Sequence, residues 1–189
     1  MVELKRAKLP MDYDVYVFDL YGTLVDIHTD ESDMAVWDKL SLFYGYYGAT
    51  YTGKALKAAY GKLIRGKEKQ LKSTLEKDPR YSHEASPEIE ITDVFTELFA
   101  AKGIPVEREF AVYTGQFFRI LTTEYVRLYK GTVRMLEQLC AAGKKVYLLS
   151  NAQRIFTEYE MRKLDLVKYF DGIMISSEKK KKKPDRRFF

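Results

Sequence analysis

Residues 15–26 read Val15-Tyr16-Val17-Phe18-Asp19-Leu20-Tyr21-Gly22-Thr23-Leu24-Val25-Asp26, and this stretch decides the fold. Four β-branched or aromatic residues form a short continuous strand signal, and a carboxylate stands at its C-terminal end. Two later runs have the same character: Lys145 to Leu149 (KVYLL) and Gly172 to Ile175 (GIMI). Each follows a stretch with helical spacing. Before Lys145, Val133, Leu136, Leu139 and Cys140 mark a helix that ends at Gly143. Between the last two strands, Ile155, Phe156, Tyr159 and Arg162-Lys163 mark another within Ala152 to Leu164. Short apolar strands separated by helices predict an α/β fold built on a parallel sheet.

Outward from this frame, the chain from His28 to Tyr125 offers no convincing buried strand. Trp37, Leu40, Phe43 and Tyr44 recur at helical spacing, as do Leu56, Ala59, Leu63 and Ile64. Val94, Leu98 and Phe99 do the same, followed by Phe110, Tyr113, Phe117, Leu121 and Tyr125. Gly45, Gly48 and Gly53 punctuate the first pair, and Pro79 to Pro87 reads as a polar loop. The predicted organisation is a discontinuous α/β core over 1–27 and 126–189, with an all-helical insert over 28–125.

The 189 residues are 46% hydrophobic, 14% aromatic and 31% charged, which excludes a disordered or low-complexity chain. A single cysteine, Cys140, excludes an internal disulfide framework and reads as a small core residue. No apolar run approaches the ~20 residues that span a bilayer. The basic start, MVELKRAKLP, lacks the apolar stretch of a signal peptide. The expectation is a soluble cytoplasmic protein without a membrane partner, in which residues through Pro10 are dispensable and Met11 is an alternative start. The net charge of +5 has one source, the unbroken run Lys179 to Lys183; without it, 27 Lys and Arg balance 27 Asp and Glu. That pattern predicts a solvated loop and no nucleic-acid partner.

Open α/β sheets keep their ligands at the carboxyl ends of the strands. Three segments lie there: the Asp19 stretch, Ser150-Asn151, and Lys183-Pro184-Asp185. They supply a carboxylate, a hydroxyl with an amide, and an ammonium. That set suits phosphoryl chemistry, with the carboxylate attacking phosphorus, the hydroxyl and backbone N–H groups holding oxygens, and the lysine screening two anions.

The segments DLYGTLVD, LLSNA and SSEKKKKKPDRRFF, in this order, resemble the first three motifs of the haloacid dehalogenase-like hydrolase superfamily. The helical insert resembles the cap of one of its subfamilies. The resemblance implies a Rossmannoid parallel-sheet core with an inserted helical cap, and a hydrolase dependent on Mg²⁺. Asp19 would be the nucleophile, forming an aspartyl intermediate, and would ligate the metal together with the backbone carbonyl of Tyr21. Gly22 would permit the tight turn and Thr23 would brace it. Ser150 and the N–H of Asn151 would hold a substrate oxygen, and Lys183 would pair with Asp19 and the phosphate. The expected substrate is a small phosphorylated metabolite, and the expected state a monomer or homodimer.

Two departures accompany the resemblance. Phosphatases of the family usually carry a second aspartate two residues after the nucleophile. Tyr21 stands there instead, able to donate a proton but a poor base at neutral pH. The family's acidic fourth motif has no counterpart before Phe189, which predicts an incomplete core with the Asp19 strand at an exposed edge. A 2-haloacid dehalogenase is the alternative enzyme, because that branch also has tyrosine at the Tyr21 position. Against it, no arginine occurs between Leu24 and Ile64 to take the halide, and Phe189 replaces a tyrosine. A truncated or degenerate, non-catalytic binding protein is the alternative of another class.

Other features read as incidental. Gly61 to Lys67 (GKLIRGK) matches the spacing of a phosphate-binding loop, but Glu68 follows and no strand precedes it, so it reads as amphipathic helix. His28 and His83 have no cysteine or histidine partners in sequence. Tyr44, Tyr46 and Tyr47 read first as core of the insert.

Overall fold

The computed structural model describes residues 12–189; the basic segment through Pro10 and the alternative start Met11 lie outside the described residues. The fold is α/β. Strand β1 (Val15–Phe18) pairs in parallel with β4 (Lys145–Ser150), and β4 pairs in parallel with β5 (Gly172–Ile175). The sheet order is β1-β4-β5, with Phe18 opposite Leu148 and Ser150 opposite Ile175. Central β4 therefore carries the most buried residues: Val146, Leu148, Leu149 and Ser150 are all inaccessible or nearly so. Edge strand β1 leaves Val15 and Val17 more than half exposed, the consequence of having one neighbour only.

Helices α5 (Thr132–Ala141) and α6 (Arg154–Lys163) make the connections between the parallel strands. Leu136 and Leu139 of α5 and Met161 of α6 join Leu20, Leu24, Val146 and Leu148 in one apolar cluster. The buried stripe of α5 runs through Thr132, Leu136 and Leu139. Cys140, one position further round the helix, is exposed rather than in the core. A stripe spaced by four and three residues leaves the next position on the flank.

Four helices, α1 (Met34–Tyr46), α2 (Gly53–Leu75), α3 (Ile91–Ala100) and α4 (Arg108–Thr122), build a second apolar cluster. Trp37, Tyr44, Phe95 and Phe99 are its largest fully buried side chains. Tyr44 stacks on Phe99 at 4.1 Å and donates its hydroxyl to the Phe95 carbonyl at 3.3 Å, so it is bundle core, whereas Tyr46 is 89% exposed. The stretch Gly61 to Lys67 lies inside α2. Helices α1 and α2 approach so closely that a Cβ on Gly53 would lie 2.8 Å from the Asp38 amide nitrogen and 3.0 Å from the Trp37 carbonyl carbon. Backbone cannot step aside as a side chain can. Gly53→Ala should cost roughly 1–3 kcal/mol by overpacking, read as a lower urea midpoint with an unchanged slope.

The helical insert does not meet the core as the sequence predicts. Strand β2 (Val25–Thr29) pairs antiparallel with β3 (Thr123–Leu128), with a register shift at His28/Thr29. Helix α4 stops at Thr122, so Tyr125 belongs to a strand and not to the last helix of the insert. Thr122, Thr123 and Val126 are β-branched and resist a longer helix. A cross-strand ion pair, Asp26 to Arg127 at 2.8 Å, fastens the ribbon. The chain thus leaves and re-enters the core along two hydrogen-bonded strands, and the expected limits 28 and 125 fall inside them. Among the described residues, no helix is long and apolar enough to cross a membrane.

Candidate active site

Asp19 directly follows β1. Its Oδ1 accepts from the Leu20 N–H at 2.8 Å, and its Oδ2 lies 2.8 Å from Lys183 Nζ. The turn behind it is held by Leu20, whose carbonyl accepts from the amides of Leu24 and Val25 at 2.8 and 2.9 Å. Gly22 sits within this turn at φ +76°, a conformation glycine adopts without a Cβ penalty. Thr23 is exposed on the same turn.

Lys183 is positioned from two sides. Its ammonium donates to the Leu149 carbonyl of β4 at 2.8 Å. The Asn151 side chain clamps its backbone, with Oδ1 accepting from Lys183 N at 2.8 Å and Nδ2 donating to Lys183 O at 3.3 Å. The peptide bond to Pro184 is cis. Asp19, Asn151 and Lys183, read from three separate segments, are therefore brought together by direct contacts. Ser150, between Leu149 and Asn151, is 1% exposed, and its hydroxyl has no hydrogen-bond partner among the described residues. An unsatisfied buried hydroxyl costs roughly 1–3 kcal/mol.

Tyr21 is turned elsewhere. Its hydroxyl donates to Glu160 of α6 and lies 3.2 Å from Thr157 Oγ1. Glu160 is 7% exposed and accepts two bonds from the Arg119 guanidinium of α4, at 2.7 and 3.2 Å. Arg119 also covers the Phe156 ring at 5.1 Å. Burial first, and then the Glu160 carboxylate, push the Tyr21 phenol far above its usual range. A phenol so held keeps its proton and donates it to Glu160. Residues of this network, Glu160 above all, escape sequence reasoning. The one available signal was an acidic residue four positions after Phe156, on the helix face expected to be apolar.

The loops carrying Asn151 and Lys183 are tied to the bundle. Glu88, buried, accepts from Ser176 Oγ at 2.7 Å and from Gln153 Nε2 at 3.0 Å. Gln153 also accepts from the Ile91 amide at 3.0 Å. Burial pushes the Glu88 carboxyl up, against its hydrogen bonds and Lys182. The lysine run is not a free loop. Lys182 N donates to the Ser86 carbonyl at 2.9 Å, Glu88 N donates to the Lys180 carbonyl at 3.3 Å, and Lys181 to Lys183 are half-buried.

Asp185 closes this segment. It is fully buried and receives Arg187 bidentately, at 2.9 and 2.7 Å, while Arg187 also donates to the Leu75 carbonyl of α2 at 3.0 Å. Hydrogen bonds from Arg187 hold its carboxyl below the usual carboxylate range. A depressed folded value contributes stability fully above the unfolded value near ~3.9, and that stability is lost as pH falls through the lower folded value. Asp185→Asn should therefore lower stability at neutral pH, and urea melts should show the gap from wild type narrowing below pH ~4.

For a metal, the site offers one carboxylate, Asp19, and the Tyr21 carbonyl, to which no backbone N–H donates among the described residues. No three of His, Cys, Asp and Glu gather as a ligand cluster among them. This donor set fits a hard cation that keeps most of its waters and takes further oxygens from a phosphate, as Mg²⁺ does.

Residues 13–189 match the family of haloacid dehalogenase-like hydrolases. The chain belongs to this family. No curated protein matches it. Among solved structures, it is similar to L-2-haloacid dehalogenase from Xanthobacter autotrophicus, at 20% identity over 90% of this chain and 60% of that one, TM-score 0.39. It is also similar to a protein assigned as a beta-phosphoglucomutase from Thermotoga maritima, at 19% identity over 88% and 62%, TM-score 0.41. A hydrolase of the family from Bacillus subtilis, described as bound to magnesium, aligns at 18% identity over 94% and 71%, TM-score 0.43. The chain spans 60% and 62% of the length of the first two. The family is one of hydrolases.

Proposed function

We propose that this hydrolase acts on a small phosphate monoester, with Asp19 as nucleophile. The observation that carries the reading is the 2.8 Å pairing of the Asp19 carboxylate with Lys183, whose ammonium also rests on the carbonyl of Leu149, the residue before the unpartnered Ser150. One Asp19 oxygen attacks phosphorus as the bond to the ester oxygen breaks, and the leaving alkoxide takes a proton from water. Water then cleaves the acyl phosphate, which returns the carboxylate and releases inorganic phosphate. Lys183 offsets repulsion between the two anions, and the Ser150 hydroxyl donates to a phosphoryl oxygen. When bound, Mg²⁺ would neutralise charge on the phosphoryl oxygens; Asp19 and the Tyr21 carbonyl are the groups that would hold it. With one carboxylate as its anionic anchor, the cation should bind weakly, so activity should rise with Mg²⁺ into the millimolar range, at around the upper end known for loosely held divalent ions. Saturation at micromolar Mg²⁺ would show that a further carboxylate anchors it.

Dehalogenation is the second reading, favoured by the phenol of Tyr21 in place of a carboxylate. Arg119, 5.6 Å from the centre of the Tyr21 ring, has its charge already offset by the Glu160 carboxylate on its Nε–Nη2 edge, which disfavours capture of a halide there. The test is direct. The chain is incubated with p-nitrophenyl phosphate and, separately, with 2-chloropropionate. Phosphate release dependent on Mg²⁺ supports the proposal, and chloride release without phosphate release reverses it. Release of neither indicates a binding role.

A further inference from the structure

A second cluster of charge lies outside the site just described. A cleft of about 370 Å³ opens between α2 and the lysine run, lined by Arg65, Glu68, Lys69, Lys72, Pro87 and Lys182. Arg65, Lys69 and Lys72 follow at spacings of four and three, which sets them on one face of α2. Lys182 stands on the opposite wall, where its backbone is pinned to Ser86. Among the lining side chains four cations therefore face one carboxylate, Glu68, while the buried Glu88 lies close enough to Lys182 to feel its charge. Lys72 reaches Glu76 only at 3.8 Å, and among the described residues Arg65, Lys69 and Lys182 have no carboxylate within ion-pair distance. By contrast, Lys67, on the neighbouring face of the same helix, is paired with Glu97. Cations in excess of their carboxylates repel one another, and an anion between the walls relieves this.

We propose that this cleft is a second anion site, which takes a small molecule bearing a diphosphate or triphosphate group. Cations on two facing walls call for at least two anionic groups in the ligand. The Arg65 guanidinium can grip one phosphate with two N–H groups, and the lysines act as point charges on the others. The volume is that of a small-molecule pocket. A nucleic acid would need a basic stripe extending over the fold, and outside the lysine run the chain's cations and carboxylates balance. Because Lys182 directly precedes Lys183, a ligand here also steadies the segment that carries the catalytic cation. The site stands independently of the reading of Asp19.

Calorimetric titration of the full chain with pyrophosphate, at near-physiological salt, tests the proposal without reference to activity. The expected result is a saturable component distinct from any binding at the Asp19–Lys183 site, with inorganic phosphate binding it at least about tenfold more weakly. The double variant Arg65→Ala/Lys69→Ala and, from the opposite wall, Lys182→Ser should each weaken pyrophosphate about tenfold or more, with melting temperatures near wild type. Lys183→Ala, outside the cleft lining, should leave this component in place. Absence of saturable binding, or loss of binding in Lys183→Ala but not in the cleft variants, overturns the site. A single-stranded RNA that binds tighter than pyrophosphate, and loses affinity in the same cleft variants, overturns the small-ligand assignment.

Discussion

Asp19→Asn should lower phosphate release from p-nitrophenyl phosphate by at least roughly a thousandfold, because an amide is a poor nucleophile and a neutral metal ligand. The effect should fall on kcat, since Lys183 and Ser150 still hold a phosphate. The fold should be little changed: Asp19 bonds the adjacent Leu20 amide and a half-buried lysine, and the asparagine oxygen can accept from either. Lys183→Ala should cost less, on the order of a hundredfold, by leaving two anions unscreened. If Asp19→Asn kept most of the activity, the nucleophile would lie elsewhere and the proposed steps would fall with it. The measurement is steady-state kinetics alongside thermal melts of each variant.

The largest stability effect should come from Glu160. Its carboxylate holds Arg119 of α4 and Tyr21 of the nucleophile loop at once. Glu160→Ala leaves a guanidinium that is one-fifth exposed without a counter-charge and a phenol without an acceptor. Removing one partner of a buried pair costs about 3 kcal/mol or more, a fall of roughly 10 °C for a domain of this size. Glu160→Gln keeps an acceptor for Tyr21 and should cost about half as much. Replacing both members, Arg119→Met/Glu160→Met, should recover much of the loss, since an apolar pair carries no desolvation penalty. A loss below ~0.5 kcal/mol in Glu160→Ala would mean that the network is effectively solvated. Because Tyr21 lies two residues from Asp19, the same variants should also move kcat, which would connect the helical bundle to the nucleophile through α6.

Much of the fold is legible from short segments because their information is local. A run such as Val15 to Phe18 has one good conformation, a buried or half-buried strand, and an Asp at its end followed by Gly22 marks a turn whose positive φ only glycine adopts freely. The helices of the bundle are equally legible, since Trp37, Leu40 and Tyr44 repeat at the helical period and are buried on one side. Candidate residues Asp19 and Asn151 follow from the same logic, each being a polar group at a strand end, whereas Lys183, eight positions past Ile175, is marked by its motif. The β2–β3 ribbon is less legible. Its two strands are half-exposed and lie about a hundred residues apart, so neither carries a pattern that identifies the other.

Local sequence specifies most of the elements, the β2–β3 ribbon excepted, and the chemistry placed at their ends. Tertiary structure alone decided the partners. Tyr21 and Glu160 are separated by 139 positions, and Asn151 and Lys183 by 32. No periodicity or local propensity encodes such pairings; they exist because packing α6 against α4 and the sheet leaves a carboxylate where a phenol and a guanidinium converge. The lysine run makes the same point. Composition shows five adjacent charges, which read as solvated loop. The folded chain spends their backbone on a pairing with Ser86 and Glu88, aims Lys183 at Asp19, and sets Lys182 across from α2. Identical side chains acquire different roles because the turn of the backbone points successive residues to different surroundings.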